Sequence, residues 1–291
     1  MARALRAGLV QTSAGDDPPA NLAAVSDLIR EAAAQGADLI LTPEVTNIVT
    51  LSRRRQADLL RPEAEDATLA GLRDLAAELG VWLLAGSLAL KADEADEPRF
   101  VNRSLLIDAA GAVRARYDKI HMFDVDVGEG ERYRESAAYR PGDRAAVADT
   151  PWGRLGLTIC YDLRFPALYR ALAEAGAEIL TVPSAFTVPT GRAHWEPLLR
   201  ARAIEAGAFV LAPAQVGEHA VTDPGDRRRR TWGHSLAVAP WGEVLADGGE
   251  GVGVACVDLD LAAVAEARAK VPSLANARPF APPEAPARAA E

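Results

Sequence analysis

The chain has 291 residues, 49% of them apolar and 25% charged. That is the profile of an ordinary globular protein whose core needs no disulfide or metal staple. No run of about 18 uncharged apolar residues occurs, which excludes a transmembrane helix. Lys plus Arg is 32 against Asp plus Glu 41, net −9, which argues against a nucleic-acid binder. The N-terminus enters a strand-like segment without a signal peptide's apolar stretch, so the expected compartment is the cytoplasm.

Short apolar runs alternate with helix-patterned segments. Residues 5–12 read as a buried strand. Residues 19–35 read as a helix, with Leu22, Val25, Leu28 and Ile29 at helical spacing and Gly36 as a stop. Residues 37–42 form a second strand closed by Pro43, 63–79 a second helix stopped by Gly80, and 81–90 a third strand. Residues 100–108 and 112–117 flank Ala-Ala-Gly and read as a hairpin.

The two halves echo each other. Arg6-x-Gly8-Leu9 recurs as Arg154-x-Gly156-Leu157, and Gly36-Ala37-Asp38 before Pro43 recurs as Gly176-Ala177-Glu178 before Pro183. Glu78-x-Gly80-x-Trp82-x-Leu84 recurs as Glu205-x-Gly207-x-Phe209-x-Leu211. Ser104-Leu105 with Gly111-x-Val113 recurs as Ser235-Leu236 with Gly242-x-Val244. Four matches in one order predict a pseudo-two-fold repeat, each half giving strand, helix, strand, helix, strand and hairpin. Such halves bury their open faces by packing sheet on sheet. The expected fold class is α/β, a four-layer α-β-β-α sandwich over residues 1–276. The Pro-rich tail 277–291 has too few large apolar groups to fold alone, and is expected to be disordered or to pack on a partner subunit.

Cys160 ends the run Leu155-Gly-Leu-Thr-Ile-Cys160 and precedes a turn and a helix pattern. A nucleophile can be held exposed in such a turn, and a helix N-terminus lowers a thiol's pKa. The bland reading is a buried cysteine acting as a small hydrophobe, which is the reading given to Cys256. Glu44, after Leu41-Thr-Pro, sits at the carboxyl end of a buried strand, where open α/β sheets place their sites. Lys119 and Glu135 alone read as surface charges. His121, His194, His219 and His234 show no metal-ligand spacing, and no Gly-x-Ser-x-Gly elbow supports a serine triad. Arg227 to Arg230 form a run that is either a solvated loop or a grip on a substrate carboxylate.

These residues together resemble the nitrilase superfamily of carbon–nitrogen hydrolases. Leu41-Thr-Pro-Glu44 is similar to its first motif, Tyr117-Asp-Lys119-Ile-His-Met-Phe-Asp124 to its second, and Gly156-Leu-Thr-Ile-Cys160-Tyr-Asp-Leu-Arg-Phe-Pro166 to its third. The resemblance implies Glu44 as general base, Lys119 as catalytic lysine, Cys160 as nucleophile and Glu135 as a second active-site glutamate. It implies an oxyanion donor at the Tyr161 N–H, and it sets Phe186, Thr187 and Arg164 beside the substrate. The stretch from Pro183 to Glu196, with Trp232-Gly-His-Ser235, resembles the amidase branch that holds omega-amidase and deaminated-glutathione amidase. Val216 departs from the cysteine common there.

The resemblance implies hydrolysis of a terminal carboxamide of a small carboxylic or 2-oxo acid, through a Cys160 thioester, to carboxylate and ammonia. No cofactor and no metal are implied, and the expected assembly is a homodimer or higher homo-oligomer. The expected rim is residues 122–133, 186–192 and 216–231, the longest irregular stretches. The alternatives are an N-carbamoyl amino acid or amine amidohydrolase, a non-catalytic scaffold, and a redox sensor at Cys160.

Overall fold

Both faces of the first strand are apolar, and the computed structural model shows what covers each. It describes residues 4–93, 97–127 and 132–283. β1 (Ala4–Gln11), α1 (Pro18–Ala34), β2 (Leu39–Leu41), α2 (Arg53–Leu59), α3 (Ala67–Leu79) and β3 (Trp82–Lys91) lead to the hairpin of β4 (Phe100–Ile107) and β5 (Val113–Asp118). A ribbon of β6 (Asp124–Asp126) and β7 (Arg132–Arg134) follows, then β8 (Ala146–Asp149). The second half runs β9 (Arg154–Leu157), α4 (Pro166–Glu174), β10 (Ile179–Thr181), α5 (Val188–Ala206) and β11 (Phe209–Ala212). A ribbon of β12 (Val216–Glu218) and β13 (Arg230–Trp232) precedes the hairpin of β14 (Leu236–Val238) and β15 (Val244–Asp247). β16 (Gly253–Asp260) and α6 (Ala262–Lys270) come last.

Two six-stranded sheets result, in the orders β16-β1-β2-β3-β4-β5 and β15-β14-β11-β10-β9-β8. In each, three central strands run parallel and the outer pairings are antiparallel. The expected repeat is therefore a repeat of topology, with β1, β2, β3, β4 and β5 answering to β9, β10, β11, β14 and β15. The edge strands β8 and β16 and the helix α2 lie outside the sequence expectation. The expected helix over 63–79 is a 3₁₀ turn (Glu63–Glu65) followed by α3, because Asp66 accepts from Leu69 N at 2.8 Å and caps a new start.

The echoed residues have identifiable jobs. Arg6 pairs with Asp258 on β16 and donates to the Gln35 carbonyl, at the end of α1. Arg154 likewise pairs with Asp149 on β8 and donates to the Ala175 carbonyl, at the end of α4. A Cβ on Gly8 would come within 3.0 Å of Ala32, and one on Gly156 within 3.1 Å of Leu172 Cβ, so glycine lets each helix settle on its sheet.

Alternation sorts the side chains. Leu5, Ala7, Leu9, Leu39, Leu41 and Leu84 turn to the core shared with the second sheet, while Val10, Ile40, Leu83 and Ala85 pack with α1 and α3. Strands covered on both faces read as continuous apolar runs. The sandwich expectation holds, and no helix among the described residues is long and apolar enough to cross a membrane. Of the tail, residues 277–283 are exposed without regular structure, and 284–291 lie outside the described residues.

The halves come into close contact at Gly86. A Cβ there would overlap the Thr42 carbonyl and sit 2.6 Å from Pro183 Cβ. Gly86→Ala should lower stability by about 1–3 kcal/mol through overpacking, read as a fall in the thermal midpoint. An unchanged midpoint would show that this contact is not tight.

Candidate active site

Glu44, Lys119, Glu135 and Cys160 leave four different elements and converge on one cavity of about 570 Å³. Glu44 follows β2, with Val45 held at φ 48°, a region strained for a β-branched residue. Cys160 follows β9 at φ 50°, and its N–H donates to the Pro183 carbonyl at 3.0 Å. Lys119 follows β5 and is held by backbone bonds to Asn102 and Gly142. Glu135 opens a 3₁₀ turn (Glu135–Ala137) and accepts from Phe123 N at 2.6 Å.

The charges interlock. The Lys119 ammonium donates to Glu44 Oε1 at 2.9 Å and to both Glu135 oxygens at 3.0 and 2.9 Å. Asn102 Nδ2 donates to Glu44 Oε1 at 2.9 Å and to Glu135 Oε1 at 3.4 Å. Ala185 N donates to Glu44 Oε2 at 3.0 Å. Lys119 is 2% exposed and Glu44 4%.

Burial alone would neutralise both groups. Burial does oppose charge on Lys119, but Glu135 and Glu44 outweigh it and hold its pKa well above the ordinary value. Burial likewise opposes charge on Glu44, but the Lys119 and Arg229 cations and the Lys119 hydrogen bond hold its pKa below the ordinary value. Cys160 goes the other way: burial first, then the Glu44 charge, push its thiol up, against the pull of Lys119. Glu44 lies close enough for its carboxylate to act on the Cys160 thiol. The resting pair is a carboxylate facing a neutral thiol. The expectation of a helix-lowered thiol is corrected, since Cys160 opens only a short 3₁₀ turn (Cys160–Arg164) and α4 begins at Pro166.

Tyr161 and Phe186 line the cavity, and the Tyr161 ring packs edge-on against Phe123 and Phe165. Thr187 and Arg164 do not line it. Thr187 is buried just before α5 and bonds to Thr190, while Arg164 bonds to His194 and its guanidinium lies 5.7 Å over the Phe186 ring. Phe123, Arg132 and Tyr133 of the 122–133 stretch and Gly225 to Arg227 with Arg229 of the 216–231 stretch line the cavity, as do Phe186 and Thr190, while residues 128–131 lie outside the described residues. A further wall from Val45 to Gln56, including α2, was not anticipated.

Sequence reasoning also passed over Asn102 and Asp162. Asp162 is fully buried and accepts from Tyr117 Oη at 2.7 Å, Ile159 N at 2.9 Å and His121 N at 3.1 Å. Its other contact is His121 Nδ1 at 2.6 Å. It thus ties the lysine segment to the cysteine turn. Its place two residues after Cys160, within the third motif, was the available signal. Among the described residues no group of His, Cys, Asp and Glu could hold a metal ion.

Residues 6–269 match the carbon–nitrogen hydrolase family model, and the chain belongs to that family, whose members are hydrolases of carbon–nitrogen bonds. It is 43% identical over 274 residues to a deaminated glutathione amidase of Yersinia enterocolitica, spanning 93% of this chain and 92% of that one. The Caenorhabditis elegans NitFhit protein superposes with a TM-score of 0.86 at 37% identity, covering 94% of this chain and 65% of that longer one. An amidase of Nesterenkonia sp. AN1, in a glutamate-to-glutamine mutant with acrylamide added at its active-site cysteine, superposes with a TM-score of 0.73 at 30% identity, covering 92% of this chain and 98% of that one.

Removing the Glu44 charge while leaving Lys119 in place should let the Cys160 thiol ionise at lower pH. Glu44→Gln should shift the thiolate absorbance titration down by about one pH unit or more, the size expected for a contacting like charge. A titration shifted upward, or unmoved, would contradict this electrostatic reading.

Proposed function

We propose that this chain is a thiol amidase that cleaves the amide at the far end of a small 2-oxo acid. The observation that carries the reading is the buried Glu44–Lys119–Cys160 constellation opening into one arginine-lined cavity. An amide carbonyl is a poor electrophile, so a covalent route that splits the reaction in two lowers the barrier.

Cys160 attacks the carbonyl while Glu44 takes its proton. Because Glu44 is a stabilised, weak base and the thiol a weak acid, transfer accompanies C–S bond formation rather than preceding it. The tetrahedral oxyanion meets the Lys119 ammonium and the Tyr161 N–H. Glu44 then gives its proton to the departing nitrogen, and the thioester forms. Glu44 next deprotonates the water that attacks the thioester and returns that proton to the Cys160 sulfur as the C–S bond breaks; the acid leaves as its carboxylate, its own proton passing to solvent. Glu135 grips Lys119 and the Phe123 N–H, so it positions the ammonium.

The relative from Yersinia acts, by its name, on deaminated glutathione. A cavity of about 570 Å³ lies within the roughly 300–1,000 Å³ of pockets for drug-sized ligands. A five-carbon acid underfills it, which favours a substrate with an extended amine side. A primary amide releases ammonia, whereas deaminated glutathione releases cysteinylglycine; the acyl product, 2-oxoglutarate, is common to both. Free Cys160 and Cys256 thiols favour a reducing compartment such as the cytoplasm. The exposed Ile204, Trp241 and Val271 favour a homodimer.

The test is 2-oxoglutarate formation from 2-oxoglutaramate and from deaminated glutathione. Wild type should turn over at least one, Cys160→Ala neither, and Lys119→Met should lose about 10²–10³ in kcat, the size expected for an oxyanion donor. Turnover of only an N-carbamoyl amino acid would keep the nucleophile and overturn the substrate.

A further inference from the structure

Arg229 in the cavity wall has no acid paired to it among the described residues. Arg229 lies just before β13, its Nε is buried without a hydrogen-bond partner, and among the described residues its guanidinium forms no ion pair. Among the described residues the guanidinium makes one hydrogen bond, from Nη2 to the Ala185 carbonyl at 2.5 Å. A guanidinium has five N–H donors, and leaving buried ones unmet costs free energy. The neighbouring Arg228, by contrast, pairs with Glu218 outside the cavity, and Arg132 pairs with Asp126.

The position of Arg229 is fixed on three sides. Its carbonyl accepts from His219 N at 2.9 Å. His219 is buried, with ring contacts to the Ala14 carbonyl at 2.7 Å and Thr231 Oγ1 at 2.8 Å. The guanidinium lies 5.7 Å over the Tyr133 ring. A preset guanidinium loses little freedom on meeting a planar anion.

Ala185 supplies the link. Its N–H bonds Glu44, the partner of the Cys160 thiol, and its C=O bonds Arg229. Arg229 and the Glu44 carboxylate are therefore joined through the two ends of a single residue.

We infer that Arg229 is the specificity-determining residue that binds the carboxylate of the acyl half of the substrate, selecting amides whose acyl chain ends in an acid. This rests on the amidase reading above. The carboxylate takes the unused N–H donors in a two-point, charge-assisted contact, while the amine side of the substrate points to the cavity mouth. Arg229 also lowers the Glu44 pKa, so a purely electrostatic role is the rival, and the two separate by substrate charge.

The experiment compares glutaramate with its neutral methyl ester, following ammonia release by wild type, Arg229→Gln and Arg229→Lys. Wild type should prefer glutaramate. Arg229→Gln should lose about 100-fold in kcat/KM on glutaramate, mostly through KM, and change less than about threefold on the ester; Arg229→Lys should recover part of the loss. Equal losses on both substrates, with a shifted pH profile, would overturn the assignment in favour of the electrostatic role. Binding of glutaramate to Cys160→Ala, with and without Arg229→Gln, needs no turnover. A Kd weakened at least tenfold supports the assignment and an unchanged Kd overturns it, even if the amidase reading itself fails.

Discussion

The Lys119 ammonium between Glu44 and Glu135 is the interaction on which the rest depends. Three ionised groups lie where solvation is poor, and a buried charge without partners would neutralise or unfold its surroundings. The cluster is tolerable only because each charge is met: the lysine by two carboxylates, Glu44 also by Asn102 and the Ala185 N–H, and Glu135 by Phe123 N–H. Those partners come from β4, from the ends of β2 and β5, and from the segment after β10. The site therefore cannot form until both sheets are in place.

The same cluster sets the chemistry. Glu44 stays ionised and Cys160 stays protonated at rest, so the proposed nucleophile is guarded by burial and by the proposed base. In the proposed reaction, charge is balanced anew only when a carbonyl arrives and its oxygen takes over as the partner of Lys119. The strained backbone at Val45 and Cys160 is kept because the surrounding bonds fix it on both sides.

Pseudo-symmetry builds the frame, and departures from it build the site. By the echoed motifs, Cys160 after β9 answers to Thr12 after β1, and Glu44 after Pro43 answers to Ser184 after Pro183. Thr12 bridges to Gln215 and Ser184 to Ala214, joining backbone rather than facing a ligand. One half thus lends its strand end to the nucleophile and the other lends its strand end to the base. The arginine run shows the same division on a smaller scale, since Arg228 and Arg229 are neighbours with opposite surroundings.

The frame was legible in the sequence because its causes are local. Apolar runs covered on both faces, glycines where helices settle, and an arginine repeated at the same strand position all leave marks at fixed spacing. The family motifs made Glu44, Lys119 and Cys160 visible for the same reason. Tertiary structure alone decided the rest. Asn102 and Asp162 look like ordinary polar residues until folding buries them among charges drawn from distant segments. Arg164 and Thr187 stand close in sequence to the site, yet neither lines the cavity. The thiol's resting state was set by burial and by Glu44, 116 positions earlier in the chain, rather than by the turn that carries it. Local pattern specifies which backbone forms. Charge, burial and exclusion from a cavity depend on what the whole fold brings alongside.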